Sequence, residues 1–428
     1  MMKHHRLYAT QWGAVAALLC AVAPGAVAFE EIENGSLVLA TTASATYDTN
    51  IEGRTDGPAD FIYSLYPDLL YTENQSQLKV DAGTGVTIDR YEKYSRYNAN
   101  DVDGHLNMSV AESEGLPFSG VFDSAYTETD DVDYYLAERV RAKAITSMLN
   151  GLYPLTQHLG VGINGLFDRT DRGVYGTQKT EGGGAALNYS DFLHLANLSL
   201  QYNRLEAVAS SVDGAPDIDQ TSNSYMIVLS RPIYDTIKAS ATYGYRYLDR
   251  SPDETDNGET RADGAFYSLN LDGPFLPPTM FPKLKSSLLV AYERATTPGI
   301  NDEGDNRLVA AARLAWEATD TTSVSFRAAH EQDLASNNLT VVSSTGTAEV
   351  TQRVGHFILA TLGGGYERDQ FLGAGRTDDI ATAYASVEYR ATRSFVLGAS
   401  YRLHDTASND YVADFGRSVV RLYATYTY

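Results

Sequence analysis

FVLGASYRL, residues 395–403, is followed after a polar loop by VVRLYATYTY, residues 419–428, and these two stretches decide the fold. In the first, Phe395, Leu397, Ala399, Tyr401 and Leu403 share one parity, while Val396, Gly398, Ser400 and Arg402 share the other. Period two with one apolar face is the pattern of a β-strand. In the second, Val420, Leu422, Ala424, Tyr426 and Tyr428 alternate with Arg421, Tyr423, Thr425 and Thr427. The sequence stops on an aromatic residue inside a strand pattern, whereas the ends of soluble domains are usually frayed and polar.

Working outward, the same alternation recurs. Ile237, Ala239, Ala241, Tyr243, Tyr245 and Tyr247 alternate with Lys238, Ser240, Thr242, Gly244 and Arg246. Leu308, Ala310, Ala312, Leu314 and Trp316 alternate with a parity carrying Arg307, Arg313 and Glu317, and Ala381 to Tyr389 with one carrying Glu388 and Arg390. Each strand keeps its charges on a single face. Between strands, longer acidic loops (49–59, 128–134, 170–178, 207–220, 249–261, 296–306, 334–344, 370–379, 405–416) alternate with shorter connections (72–75, 113–117, 150–156, 190–193, 231–235, 318–321, 352–355, 391–393) and the stretch 273–283. Long loops on one rim and tight turns on the other are the asymmetry of a transmembrane barrel. The expected fold is all-β: an antiparallel up-and-down transmembrane β-barrel of about 20 strands, with 18 as the neighbouring count, apolar toward lipid and polar toward the lumen.

Composition agrees. Tyr outnumbers Phe by 30 to 14, and membrane-interface girdles need a ring that can lie in lipid with its hydroxyl wet. Residues 1–28 have the layout of a secretory signal: Lys3 and Arg6, the apolar run from Gly13 to Val22, then Ala26-Val27-Ala28. The remaining 29–428 are expected to form one barrel. Cleavage would remove Cys20, the only cysteine, and two of the 33 basic residues but none of the 55 acids, moving the net charge from −22 to −24. A thiol-free exported chain has no disulfide, cysteine nucleophile or thiolate metal site. So acidic a chain is also a poor nucleic-acid binder, because phosphate contacts need clustered Lys and Arg. FEEIENGS leads directly into the first strand at about 37–47, which argues against a plugged receptor.

At that first strand, Tyr47-Asp48-Thr49-Asn50-Ile51 is followed by Asp60-Phe61-Ile62-Tyr63 and Pro67. With the hairpin rhythm to the end, the chain resembles the outer-membrane β-barrel porin family of Gram-negative bacteria, some of whose members are associated with exopolysaccharide synthesis and export. Its end resembles the assembly signal of such barrels: Arg421, Tyr426 and Tyr428 match, and Tyr423 stands where a glycine is usual. The resemblance implies residence in the outer membrane among lipid and lipopolysaccharide, reading of the last strand by the barrel-assembly machinery, and a periplasmic export partner. From the residues, Asp48 and Asn50 are turn formers at the end of a strand.

The candidate lumenal site is basic: Arg139, Arg141 and Lys143 on one parity of a strand, and Arg246, Arg313, Arg327, Arg390, Arg402 and Arg421 at inward positions on later strands. A ladder of Arg in a pore attracts anions and binds carboxylates or phosphates bidentately. The competing reading pairs them with lumenal acids, Glu138, Glu293, Glu317, Glu331 and Glu388. Acidic runs at 128–131, 252–259 and 301–306 could hold a divalent cation but read better as solvated loops, and none has EF-hand spacing. The histidines (His105, His158, His194, His330, His356, His404) show no metal-ligand spacing, and no catalytic elbow, P-loop or dinucleotide fingerprint is present. Neither cofactor nor metal is expected. The expected function is a passive or partner-gated conduit for polar solutes, exopolysaccharide or its fragments among them; the alternatives are an adhesive barrel with a blocked lumen, and third an outer-membrane hydrolase. A plug would need a long, apolar or Gly-rich inward loop, and only 207–220 and 334–344 are candidates.

Overall fold

The structure is a computed structural model that describes residues 31–32, 35–113, 115–210, 218–234, 236–251, 260–276, 279–295, 305–334, 340–372, 374–411 and 413–428. A two-residue strand, β1 (Glu31–Ile32), precedes twenty long ones. The first ten are β2 (Gly35–Asp48), β3 (Asp60–Asn74), β4 (Leu78–Tyr91), β5 (Ala99–Val110), β6 (Ser119–Asp133), β7 (Glu138–Pro154), β8 (Leu159–Asp171), β9 (Thr177–Phe192), β10 (Ala196–Ser210) and β11 (Ile218–Tyr234). The others are β12 (Ile237–Ser251), β13 (Thr260–Asp272), β14 (Leu284–Ala295), β15 (Asp305–Glu317), β16 (Thr322–Leu334), β17 (Thr340–Val354), β18 (Ile358–Phe371), β19 (Arg376–Arg390), β20 (Phe395–Ser408) and β21 (Phe415–Thr427). Each pairs antiparallel with the next, and β21 returns to β2 from Ala40↔Thr427 to Asp48↔Val419. The result is a closed twenty-strand antiparallel barrel, which leaves no strand edge unpaired in the wall.

Period two sorts the residues between lipid and lumen. Tyr243 and Tyr247 on β12, Leu308 on β15, Leu362 and Tyr366 on β18, Val387 and Tyr389 on β19, and Val420 and Leu422 on β21 are exposed on the outer face. Aromatic residues mark both borders of this apolar band: Tyr153, Tyr189 and Tyr389 near the rim where the chain ends lie, and Tyr202, Tyr225, Tyr247 and Tyr366 toward the opposite one. We call these the proximal and distal rims. Girdles flanking an apolar belt suit a wall standing in a bilayer.

On the inner face, tyrosines lie flat across glycines. Tyr423 on β21 faces Gly398 on β20, which faces Glu388 on β19. The ring covers the glycine, where a Cβ would collide with it, and the hydroxyl donates to Glu388 at 2.7 Å. The tyrosine at 423 is thus matched by a glycine on the neighbouring strand. Tyr384, Gly363 and Glu349 repeat the rung across β19, β18 and β17.

The sequence-predicted connections fall within a few residues of the observed ones, with two differences. Residues 92–98 form a distal connection containing a 3-10 turn at Ser95–Tyr97, which the hydropathy pattern had not separated from its strands. Its cause is Asp60, fully buried, whose carboxylate accepts the backbone N–H groups of Lys93 and Tyr94 at 3.0 Å. The acidic run at 128–131 is strand rather than solvated loop: β6 continues to Asp133 because Glu128, Asp130 and Asp131 face Lys143, Arg141 and Val140 across the ladder.

The proximal two-thirds of the lumen has no apolar core among the described residues. The buried apolar clusters all lie at the distal end: Ile51, Ile62 and Tyr91; Val132, Ala137, Ala413 and Phe415; and Val341 with Phe371.

Candidate channel lumen and its distal cap

The distal cap is built from residues 49–59, the 3-10 turn at 95–97 and the β6–β7 tip (134–137), all folded inward. Asp48 turns the chain by accepting the N–H of Asn50 at 2.9 Å, and the Asn50 side-chain oxygen accepts the N–H of Gly53 at 2.9 Å. Both are the turn formers that the residue types predict. Gly53 has φ +66 and sits where a Cβ would strike Val132 of β6, so the loop touches the hairpin end directly. Ile51, fully buried, packs with Ile62 and Tyr91.

Polar contacts fasten the cap. Glu52, 5 % exposed, receives Arg96 and the Tyr97 hydroxyl, each at 2.6 Å, and pairs closely with Arg54. Burial by itself would raise its carboxyl pKa, but the hydrogen bonds from Tyr97 and Arg96 and the charges of Arg54 and Arg96 outweigh it and hold it below the usual glutamate value. Arg139 donates to Asp130 at 2.7 Å and to the carbonyl of Ile51 at 3.1 Å, and lies over the rings of Tyr91 and Tyr97. Arg417 on the last strand grips Asp48 on the first through two nitrogens and reaches Asp131 on β6 at 2.9 Å.

The tip then crosses the seam between β2 and β21. Tyr134 stacks on His404 with ring centres 3.8 Å apart and packs against Phe415, while Tyr135 meets Phe371 edge-on. Arg376, held by Asp378, donates to the carbonyl of Tyr135 at 2.8 Å. One hairpin end is thus anchored on β18, β19, β20 and β21 across the mouth. The inward elements among the described residues are therefore 49–59, 95–97 and 134–137; the central parts of the two loops named as plug candidates, 211–217 and 335–339, lie outside the described residues, as do 1–30, 252–259 and 301–304.

The predicted basic residues divide into two groups. Around the cap and on the wall next to it they are paired: Arg139 with Asp130, Arg141 with Glu128 and Asp101 (3.3 and 3.9 Å), and Lys143 with Glu128 (3.1 Å). Arg246 pairs with Glu293 at 2.7 Å. Of the proposed acidic partners only Glu293 is used in this way. Glu138 accepts from the Tyr175 hydroxyl, Glu388 from Tyr423, and Glu317 lies at the proximal rim 3.9 Å from Lys283; Glu331 makes no ion pair among the described residues.

On the wall from β15 to β21 the arginines are different. Arg313 and Arg327 face each other directly in the β15–β16 register, both exposed to the lumen. Arg390 stands at the proximal end of β19, Arg402 and Arg421 face inward side by side, and Arg353 faces inward at the end of β17. None of these six has an ion pair among the described residues. The tyrosine rungs explain part of this, since they occupy Glu349 and Glu388, the nearest acids. Like charges directly opposite cost stability, so the Arg313–Arg327 pairing marks a place where an anion would be welcome. Arg417 and Arg376 were not singled out from the sequence, and Asp60 figured there only as part of a motif; a basic residue just inside each distal loop is the only signal that could have found the two arginines.

Wall, girdles and lumen define the class: a closed twenty-strand antiparallel β-barrel of the outer-membrane type. Residues 306–428 match the family described as "Putative beta-barrel porin 2". No curated protein matches the chain. Among solved structures, the FrpB iron transporter from Neisseria meningitidis is similar in two variants. For F5-1 the TM-score is 0.52 at 8 % identity, over 93 % of this chain and 83 % of that one. For F3-3 it is 0.50 at 9 %, over 93 % and 82 %. At such identity the likeness is one of fold.

Proposed function

We propose that the barrel is a capped outer-membrane channel that passes polar solutes and favours anions along its β15–β21 wall. The observation that carries this reading is the Arg313–Arg327 pair: two guanidiniums held in register on the lumenal face with no ion pair among the described residues. Preorganised cations of this kind lower the barrier for an anion and raise it for a cation. The family resemblance adds saccharide chains or their fragments as cargo. Export would use the signal at 1–28, insertion the aromatic end with Arg421, Tyr426 and Tyr428, and a periplasmic partner would dock on the proximal turns. Lipopolysaccharide would surround the distal half of the outer face.

The test is single-channel recording of the refolded mature chain in planar bilayers under a salt gradient. Steady conductance with anion preference, reduced by R313Q/R327Q, is the expected result. Absence of conductance from folded, heat-modifiable protein would remove the open-channel reading. The cap favours one second reading, a barrel whose blocked lumen leaves it a structural or adhesive role, and that result would select it.

A further inference from the structure

The arginine wall ends at the proximal rim in a cavity of about 340 Å³ lined by Arg353, His356, Phe357, Leu359, Glu388, Arg390 and Val396, among others. Its place in the fold is fixed by the β17–β18 turn, which carries Phe357, and by the end of β19, since the N–H of Arg390 donates to the Phe357 carbonyl at 2.7 Å. Neither guanidinium has an ion pair or side-chain hydrogen bond among the described residues, although Glu388 lines the same cavity. Glu388 is engaged instead by Tyr423, the rung described above.

We infer that this cavity is a binding site for a small organic monocarboxylate with an apolar body. Two guanidiniums with no internal partner supply the planar donor forks that a carboxylate accepts bidentately. Phe357, Leu359 and Val396 supply the apolar surface that most small-molecule sites use to bury the rest of a ligand. The volume is at the small end of the ~300–1,000 Å³ typical of such sites. The neighbouring carboxylate of Glu388 sets the charge limit: with Arg353 and Arg390 it leaves the site about one positive charge, which a monocarboxylate balances, whereas a dianion such as phosphate leaves an excess negative charge and gains nothing from the apolar wall. Because the cavity opens on the lumenal face, it deepens the proposed anion passage by giving it a specific stop at the proximal end, and as a step in transport it rests on that reading.

The experiment is calorimetric titration of the full mature chain, refolded in detergent, with hexanoate, hexanol and inorganic phosphate. Hexanoate is expected to bind, with hexanol and phosphate at least about tenfold weaker. R353Q/R390Q should lose about tenfold or more in hexanoate affinity. Should that variant fail to fold, Val396→Trp provides the second route, since it fills the cavity and leaves both arginines in place; it too should abolish binding. Phosphate binding as tight as hexanoate, or hexanoate affinity unchanged in a folded variant, would overturn the assignment. Binding in detergent needs no channel, so hexanoate binding by a barrel that does not conduct would keep the site and discard the passage; an anion-selective channel that ignores hexanoate would do the reverse.

Discussion

Arg139 and Arg313 are the same residue type on the same inner face of one barrel, yet they do opposite things. Arg139 is almost wholly buried, holding Asp130, the Ile51 carbonyl and two tyrosine rings together, while Arg313 stands exposed beside Arg327 with no ion pair among the described residues. The difference lies in what faces them across the ladder. At the distal end each cation meets a carboxylate or a carbonyl, so the charges fasten backbone to backbone. Lower on the β15–β21 wall the acids are engaged by tyrosines, and the cations are left to act on whatever passes. Charge in this lumen is structural where it is matched, and where it is not it is the part on which the proposed passage of anions rests.

The contrast can be broken from the structural side first. Arg417→Ala should cost about 3–5 kcal/mol, because it strands the buried carboxylate of Asp48 and releases Asp131; the midpoint of unfolding in urea, followed by gel mobility, would measure it. Gly53→Val should cost about 1–3 kcal/mol by combining a strained φ with a collision at Val132, and should make the 49–59 loop accessible to protease in the folded barrel. Removing the ring contacts with Tyr134→Ser and Tyr135→Ser should release the tip and raise single-channel conductance roughly twofold, with little change in selectivity.

Acid sharpens the same comparison. Glu52 has a depressed pKa in the folded state, so its contribution is fully present above the ordinary value of 4.5 and is lost as pH falls through the depressed one. Loosening of the cap is therefore expected only below pH 4.5, read as increased protease access to 49–59, and Glu52→Gln should remove that pH dependence. The smallest effect belongs to the functional wall: R313Q/R327Q should leave stability unchanged or slightly improved by relieving repulsion, by roughly 0.2–1 kcal/mol, while anion preference falls.

The wall of the barrel was legible because each strand carries its own instruction. Leu308 to Trp316 or Val420 to Tyr428 need no distant partner to declare an outer face, and twenty such strands bring their own rims with them. The lumenal placement of Arg313 and Arg327 followed from the same parity. The cap was not legible, for a physical reason. Residues 49–59 look like any polar acidic loop; they turn inward because Gly416 and Val132 meet them there and Arg417 holds Asp48 at their start, and those contacts join positions far apart in the chain. Likewise Glu128 and Asp130 read as part of a solvated run until Lys143 and Arg141 are placed opposite them by the β6–β7 ladder and Arg139 pairs with Asp130.

The clasp between Asp48 and Arg417 joins the first long strand to the last, and it reaches on to Asp131 in the hairpin between them. None of those contacts can form in a partly built sheet, since Arg417 reaches its place only when β21 has closed on β2. Contacts of such long sequence separation form late. The part of the cover that rests on β18–β21 must therefore wait until the wall is closed, and its seating becomes a sign, written into the fold itself, that the last seam has been sewn.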